Sequence, residues 1–183
     1  MTVLFYAIGT LVVAAVLYVT LRTPLQRYFQ ARGDRVVNCP DNGQVVAVRV
    51  DAAHAALSRS AAPDHFRIDA CSRWPEKSGC GQACLAQIEA QPFDCLVRTQ
   101  VERWYADKTC AICGKAVGDL DWTRHKPAVR SPEGVTMEWG EIPAESLWNV
   151  MASHSPVCWD CHVAETFRRR RPDLVIDNPH PTA

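Results

Sequence analysis

Excess charge is the first thing this sequence lacks: 20 Lys and Arg are matched by 20 Asp and Glu over 183 residues. A general nucleic-acid binder carries a basic surplus, so no nucleic-acid partner is expected. Also missing are a phosphate-binding glycine loop, a nucleophile beside a marked base, and a zinc-ligand set that leaves a coordination position open. Without these, no catalytic group or small-molecule substrate can be assigned, and a non-catalytic role is expected. Low-complexity tracts are absent too, and the composition is that of a globular chain.

Charge is again absent from Val3 to Leu21, which reads VLFYAIGTLVVAAVLYVTL. These 19 residues are just enough to span a hydrocarbon core as a helix. A cleaved signal peptide fits less well. No Lys or Arg precedes the run, the run exceeds a usual signal core, and no small-x-small site follows it. The expectation is one transmembrane helix over 1–21 in the lipid bilayer and a juxtamembrane linker over 22–35. Arg22, Arg27, Arg32 and Arg35 follow the run against one acid, Asp34. Positive flanks stay on the cytoplasmic side, so the N-terminus is expected outside a cell membrane and the body in the cytoplasm.

What the chain has in abundance is cysteine, nine in all. Such a count arises from disulfides outside the cell, metal inside it, or redox chemistry, and a cytoplasmic body favours metal. Cys110-Ala-Ile-Cys113 and Cys158-Trp-Asp-Cys161 are separated by 44 residues. Each pair places two thiolates to aim at one point about 2.3 Å away, and together they make the four-sulfur set of a structural zinc site. Gly114 follows the first pair and is free to take a positive φ, turning backbone N–H groups toward the sulfurs. Residues 128–139 (AVRSPEGVTMEW) predict two short strands about a Ser-Pro-Glu-Gly turn. Pro143-Ala-Glu145 opens a helix to about Ser153, with Leu147, Trp148 and Met151 inward. A helix from Ala164 to Arg171, stopped by Pro172, places the second pair at its start, where the helix dipole favours thiolate.

Turn, hairpin, then a helix carrying the last two ligands resembles a treble-clef or zinc-ribbon finger over residues 110–170. The resemblance is at the level of the motif and implies Cys110, Cys113, Cys158 and Cys161 as ligands of one zinc. The inserted helix at 143–153 departs from the minimal pattern. Two other chemistries compete for the same residues. Cys158-x-x-Cys161-His162 matches c-type haem attachment, with His162 as iron ligand. That requires the exterior compartment and leaves Cys110 and Cys113 unexplained. Disulfide exchange wants a Cys-x-x-Cys in a βαβ setting, and neither pair has one.

In the first half, Gln44–Val50 predicts a strand, Asp51 caps a helix over Ala52–Ser60, and His65–Ala70 predicts a second strand. Cys39 and Cys71 bracket this strand-helix-strand unit. A helix over Gly79–Ala90 would put Cys80 and Cys84 on one face. Four of Cys39, Cys71, Cys80, Cys84 and Cys95 would close a second site, for zinc or an iron–sulfur cluster, leaving one thiol spare. Buried thiols and disulfides are the competing explanations. Val97–Ala106 continues as an amphipathic segment with Val97, Val101, Trp104 and Tyr105 on one side.

His125, His154 and His180 are expected on the surface. Arg168–Arg171 fit a basic helix C-terminus, with docking to anionic lipid as the competing role. The six tryptophans are expected to pack the core around the metal. The fold expected is α+β: the membrane helix, a cysteine-rich unit over 36–105, a zinc-finger-like unit over 106–172, and a disordered tail over 173–183. The function expected is that of an accessory, scaffold or assembly subunit of an integral membrane protein complex. The alternative is an electron-transfer protein carrying an iron–sulfur cluster or haem c.

Overall fold

The computed structural model describes residues 2–58, 66–74, 76–77 and 79–174, with side chains from Tyr6 onward. The chain divides into two compact units, Met1–Thr99 and Gln100–Ala183. Both mix helix and sheet, as the composition of motifs leads one to expect.

The first unit opens with α1, Thr2–Ala31. The apolar run and residues 22–31 of the expected linker are therefore one continuous helix, with Pro24 inside it. Residues 22–31 are no coil because their last turns have something to pack on. Ala31 enters the core, and Arg27 donates from Nη1 to the Ser58 carbonyl at 2.7 Å. The first part of α1 leaves its large apolar side chains, among them Leu11, Val16 and Tyr18, exposed.

A three-stranded antiparallel sheet follows, in the order β1-β2-β3: β1 Asp34–Asn38, β2 Val45–Val50 and β3 Ile68–Cys71. Val46, Val48 and Val50 alternate into the core along β2, the two-residue period of a strand with one buried face. Strand β1 is not expected from the sequence, whose polar stretch after the apolar run predicts a linker up to residue 35. Between β2 and β3 lies α2, Ala52–Leu57, started by the Asp51 carboxylate accepting from the His54 N–H at 2.9 Å. The expected helix end at Ser60 and strand start at His65 lie outside the described residues.

Only Leu85–Ala90 of the expected 79–90 helix forms, as α3. Gln82 takes a positive φ of 53°, and its side-chain carbonyl accepts the Ile68 N–H at 3.2 Å. That use of Gln82, with Gly79 and Gly81 beside it, stops the helix short, so Cys80 and Cys84 do not share a helix face.

Arg35, expected as an exposed flanking charge, is 0% exposed. Its guanidinium donates to the carbonyls of Ala31 (2.6 Å), Gly33 (3.2 Å) and Gln30 (3.2 Å), the unpaired acceptors at the end of α1. It also lies 5.9 Å from the Phe66 ring centre. Burial pulls its pKa down, and Cys95 and Asp34 oppose this.

Helix α4, Val97–Tyr105, crosses the division between the units. The second unit holds a sheet in the order β5-β4-β6: β4 Ala128–Arg130, β5 Thr136–Glu138 and β6 Ser155–Val157, all antiparallel. The hairpin β4–β5 forms where expected, and β6 is new. Helix α5, Leu147–Ser153, follows a 3-10 turn at Ala144–Ser146. It buries Leu147 and Val150, while Trp148, expected inward, is 45% exposed. Helix α6, Trp159–Arg170, begins five residues before the expected Ala164. Of the tryptophans in this unit only Trp139 is fully buried; its Nε1 donates to the Tyr105 hydroxyl at 3.1 Å, which in turn donates to the Ala128 carbonyl. A 3-10 turn at Pro172–Leu174 opens the expected tail, and the rest of it, with His180, Pro179 and Pro181, lies outside the described residues.

The Arg35 network predicts a measurable loss. Arg35→Ala strands three carbonyls at the end of α1 and should cost about 2–3 kcal/mol. Thermal unfolding in detergent should show the midpoint lowered by roughly 10 °C. Arg35→Lys should recover less than half, because one ammonium lacks the fork that reaches all three acceptors. An unchanged midpoint for Arg35→Ala would remove Arg35 as the anchor of α1.

Candidate metal centre

Thr109 and Ala116 pair across the base of the first Cys-x-x-Cys turn. Within it the Cys110 N–H donates to the Lys115 carbonyl at 2.8 Å, and the Gly114 N–H donates to the Cys110 carbonyl at 2.9 Å. Gly114 takes a φ of +70°, a conformation most residues avoid, as the sequence led one to expect. The Ile112 N–H faces the Cys110 sulfur at 3.5 Å.

The second pair arrives through the sheet. The Ala111 N–H donates to the Pro156 carbonyl at 2.9 Å, which pins the turn to β6 two residues before Cys158. Strand β6 is itself held by β4, with Ala128 opposite Val157. Cys158 is then the N-cap residue of α6, and Cys161 lies in its first turn. Nothing in the sequence marks this clamp. A three-residue edge strand containing proline carries no periodicity to find.

The outcome is that Cys110, Cys113, Cys158 and Cys161 bring their sulfurs within 4.8 Å of one another. Among the described residues this is the one group of three or more metal-ligating side chains gathered so closely. Four sulfurs about 2.3 Å from one tetrahedral ion stand about 3.8 Å apart. The Cys113 and Cys158 sulfurs are 3.8 Å apart. The donor set and its spacing fit a metal ion, and these four residues would hold it. The site is compatible with a zinc-finger-like motif.

Electrostatics says why a cation belongs here. Burial opposes the Cys110 thiolate, but the backbone N–H groups of Cys113, Cys158 and Ile112 outweigh it and bring its pKa down to about 6. Burial, joined by the neighbouring sulfurs, pushes the Cys161 thiol up, and burial does the same to Cys158. The backbone thus supports one thiolate, and four together need a positive charge among them.

His162, the haem ligand in the competing motif, is buried, with Nε2 4.0 Å from the Glu138 carboxylate. Burial lowers its pKa. Its Nδ1 has no partner, and neither do Thr136 Oγ1 and Thr166 Oγ1. His125 is exposed, and His154 is half-buried against the Ser153 hydroxyl at 2.8 Å. Arg168 pairs with Glu165, and Arg171 with Asp173 at 3.0 Å, so part of the basic run is locally neutralised. Cys39, Cys71, Cys80, Cys84 and Cys95 are free thiols outside the gathered set.

Cys113→Ser or Cys158→Ser removes one ligand of four. Each variant should lose its metal to a chelator concentration that leaves the native protein loaded, and residues 106–172 should become protease-sensitive, since metal-binding energy is folding energy here. Full metal retention with unchanged digestion would show that these sulfurs hold no ion.

Comparison with protein-family models, with curated proteins and with solved structures found no match for the chain.

Proposed function

We propose that this chain is a single-pass, membrane-anchored zinc protein whose metal-held region docks on an integral membrane protein complex as an accessory, scaffold or assembly subunit. The observation that carries the reading is the set of four sulfurs within 4.8 Å in a chain whose N-terminal helix is apolar enough to cross a membrane. Four thiolates fill a tetrahedral shell and leave no position for substrate, the pattern of a structural ion. Turn, hairpin and ligand-bearing helix in that order support a treble-clef-like finger.

The sulfur spacing favours a single ion over a cluster. A cluster interposes iron and sulfide atoms between its cysteine ligands, so its thiolates stand farther apart than those sharing one ion. The covalent haem reading would use Cys158 and Cys161 alone and gives no reason for their closeness to Cys110 and Cys113. Docking is supported by apolar side chains left on the surface of the second unit: Val163 and Phe167, one turn apart on α6, are 45% and 49% exposed. Orientation rests on the Arg-rich flank of α1. With Arg35 buried, the exposed Arg22, Arg27 and Arg32 carry the positive-inside signal into a reducing cytoplasm.

Protein purified in mild detergent without added metal should contain zinc and be colourless. A brown preparation with broad visible absorption would replace zinc by iron–sulfur, and a sharp Soret band would replace it by haem. Protease added to right-side-out vesicles should spare the body, and its digestion there would reverse the orientation.

A further inference from the structure

The turn that carries Cys39 shares two backbone hydrogen bonds and a glycine conformation with the turn that carries Cys110. The Cys39 N–H donates to the Gln44 carbonyl at 2.8 Å, as Cys110 does to Lys115 at 2.8 Å. The Gly43 N–H donates to the Cys39 carbonyl at 2.8 Å, as Gly114 does to Cys110 at 2.9 Å. Gly43 has a φ of +69° and Gly114 one of +70°. In both turns the backbone N–H groups two and three residues on face the cysteine sulfur, those of Asp41 and Asn42 in one and of Ile112 and Cys113 in the other. A tight turn ending on glycine needs no cysteine. What is specific is a sulfur at the focus of two N–H groups, the arrangement that holds a metal thiolate.

Asn42 stands where the second cysteine of the pair would be, and its side chain is spent inside the turn on Gln44. Three other thiols supply what is missing. Cys71 ends β3, Cys80 lies on the turn after it, and Cys84 immediately precedes α3. Cys71, Cys80 and Cys39 all lie within electrostatic reach of Cys84. Cys39, Cys71 and Cys84 line the same core, as does Cys95, and Trp74 packs against it with its indole N–H buried and unpartnered, a donor for a ligating sulfur. One positive charge attends the group: Arg73 donates to the Cys39 sulfur at 3.1 Å, while Lys77 is already paired with the Asp41 carboxylate at 2.6 Å. A four-thiolate zinc carries a net double negative charge, part of which the Arg73 guanidinium offsets.

We infer that Cys39, Cys71, Cys80 and Cys84 form a second four-thiolate zinc site, built on a copy of the Cys110 turn. Cys95 is the spare thiol. It faces the Arg35 guanidinium and is not among the cysteines that act on Cys84. The four sulfurs stand farther apart than those of the first centre, and Cys80 is exposed, so binding draws the Cys80 turn inward.

Zinc counted per chain in full-length protein, purified in detergent from metal-replete cells, tests this. About two zinc per chain are expected. Cys39→Ser and Cys84→Ser should each drop the count by one, and Cys95→Ser should leave it unchanged. Because a ligand variant can unfold, the reciprocal variant is decisive. Cys110→Ser with Cys113→Ser removes the first centre, and the remaining zinc should show four sulfur ligands by X-ray absorption. A wild-type count of one, disulfides among these four cysteines, or no zinc left in the reciprocal variant would overturn the second site. The first two outcomes leave the first centre standing.

Discussion

Four sulfurs within 4.8 Å are the constraint on which the second unit depends. Left without a cation, neighbouring thiolates repel, and burial raises the cost further. The fold nonetheless spends its few regular elements on bringing them together. Strand β6 is three residues long, yet through Pro156 it takes the Ala111 N–H and through Val157 it leads straight into Cys158. The hairpin β4–β5 is equally short and serves to hold β6 in place. Each of these pieces is too small to persist alone, so the ion is the natural completion of their packing.

The first unit solves a different problem, how to join a long apolar helix to a small sheet. Its solution is a buried cation acting on backbone carbonyls. A helix ends with four acceptors unpaired, and Arg35, the second residue of β1 and four residues past Ala31, satisfies three carbonyls in this stretch with one fork. The apolar helix is thereby fixed in direction relative to β1 rather than hung from a loose tether. In a membrane-anchored chain this would hold the sheet at a set distance and tilt from the bilayer surface.

Much of this could be read from the sequence, and the failures share a cause. Paired cysteines, the Ser-Pro-Glu-Gly turn, the Asp51 cap and the valines of β2 are local signals, each satisfied by residues near in sequence. They were legible because the structure uses them locally. Missed were β1, β6 and the continuation of α1 past Leu21. Each is decided by a partner far along the chain or by a side chain in an unusual role: Leu96 beside Arg35, Ala111 beside Pro156, Arg35 turned inward. The short α3 failed for the same reason, since Gln82 leaves the helix to serve β3. The core packing expected of the tryptophans held for Trp139 but not for Trp148, because α5 turns Leu147 and Val150 inward instead.

The two cysteine groups also differ in how far the polypeptide alone carries them. In the second unit the backbone clamp at Ala111 and Pro156 fixes both halves of the ligand set, so the sulfurs meet at the separation a single ion requires. In the first unit the Cys39 turn is equally well formed, but side chains rather than a backbone clamp tie its companions to it: Gln87 of α3 exchanges two hydrogen bonds with the Asn38 backbone, and Arg73 and Lys77 reach Cys39 and Asp41. A site preformed by its backbone binds with little reorganisation, whereas one that must gather its ligands gives up part of its binding energy to ordering them. An ion at the first site would therefore be held with less reorganisation, and a second ion in the sheet unit would be the more sensitive to metal supply.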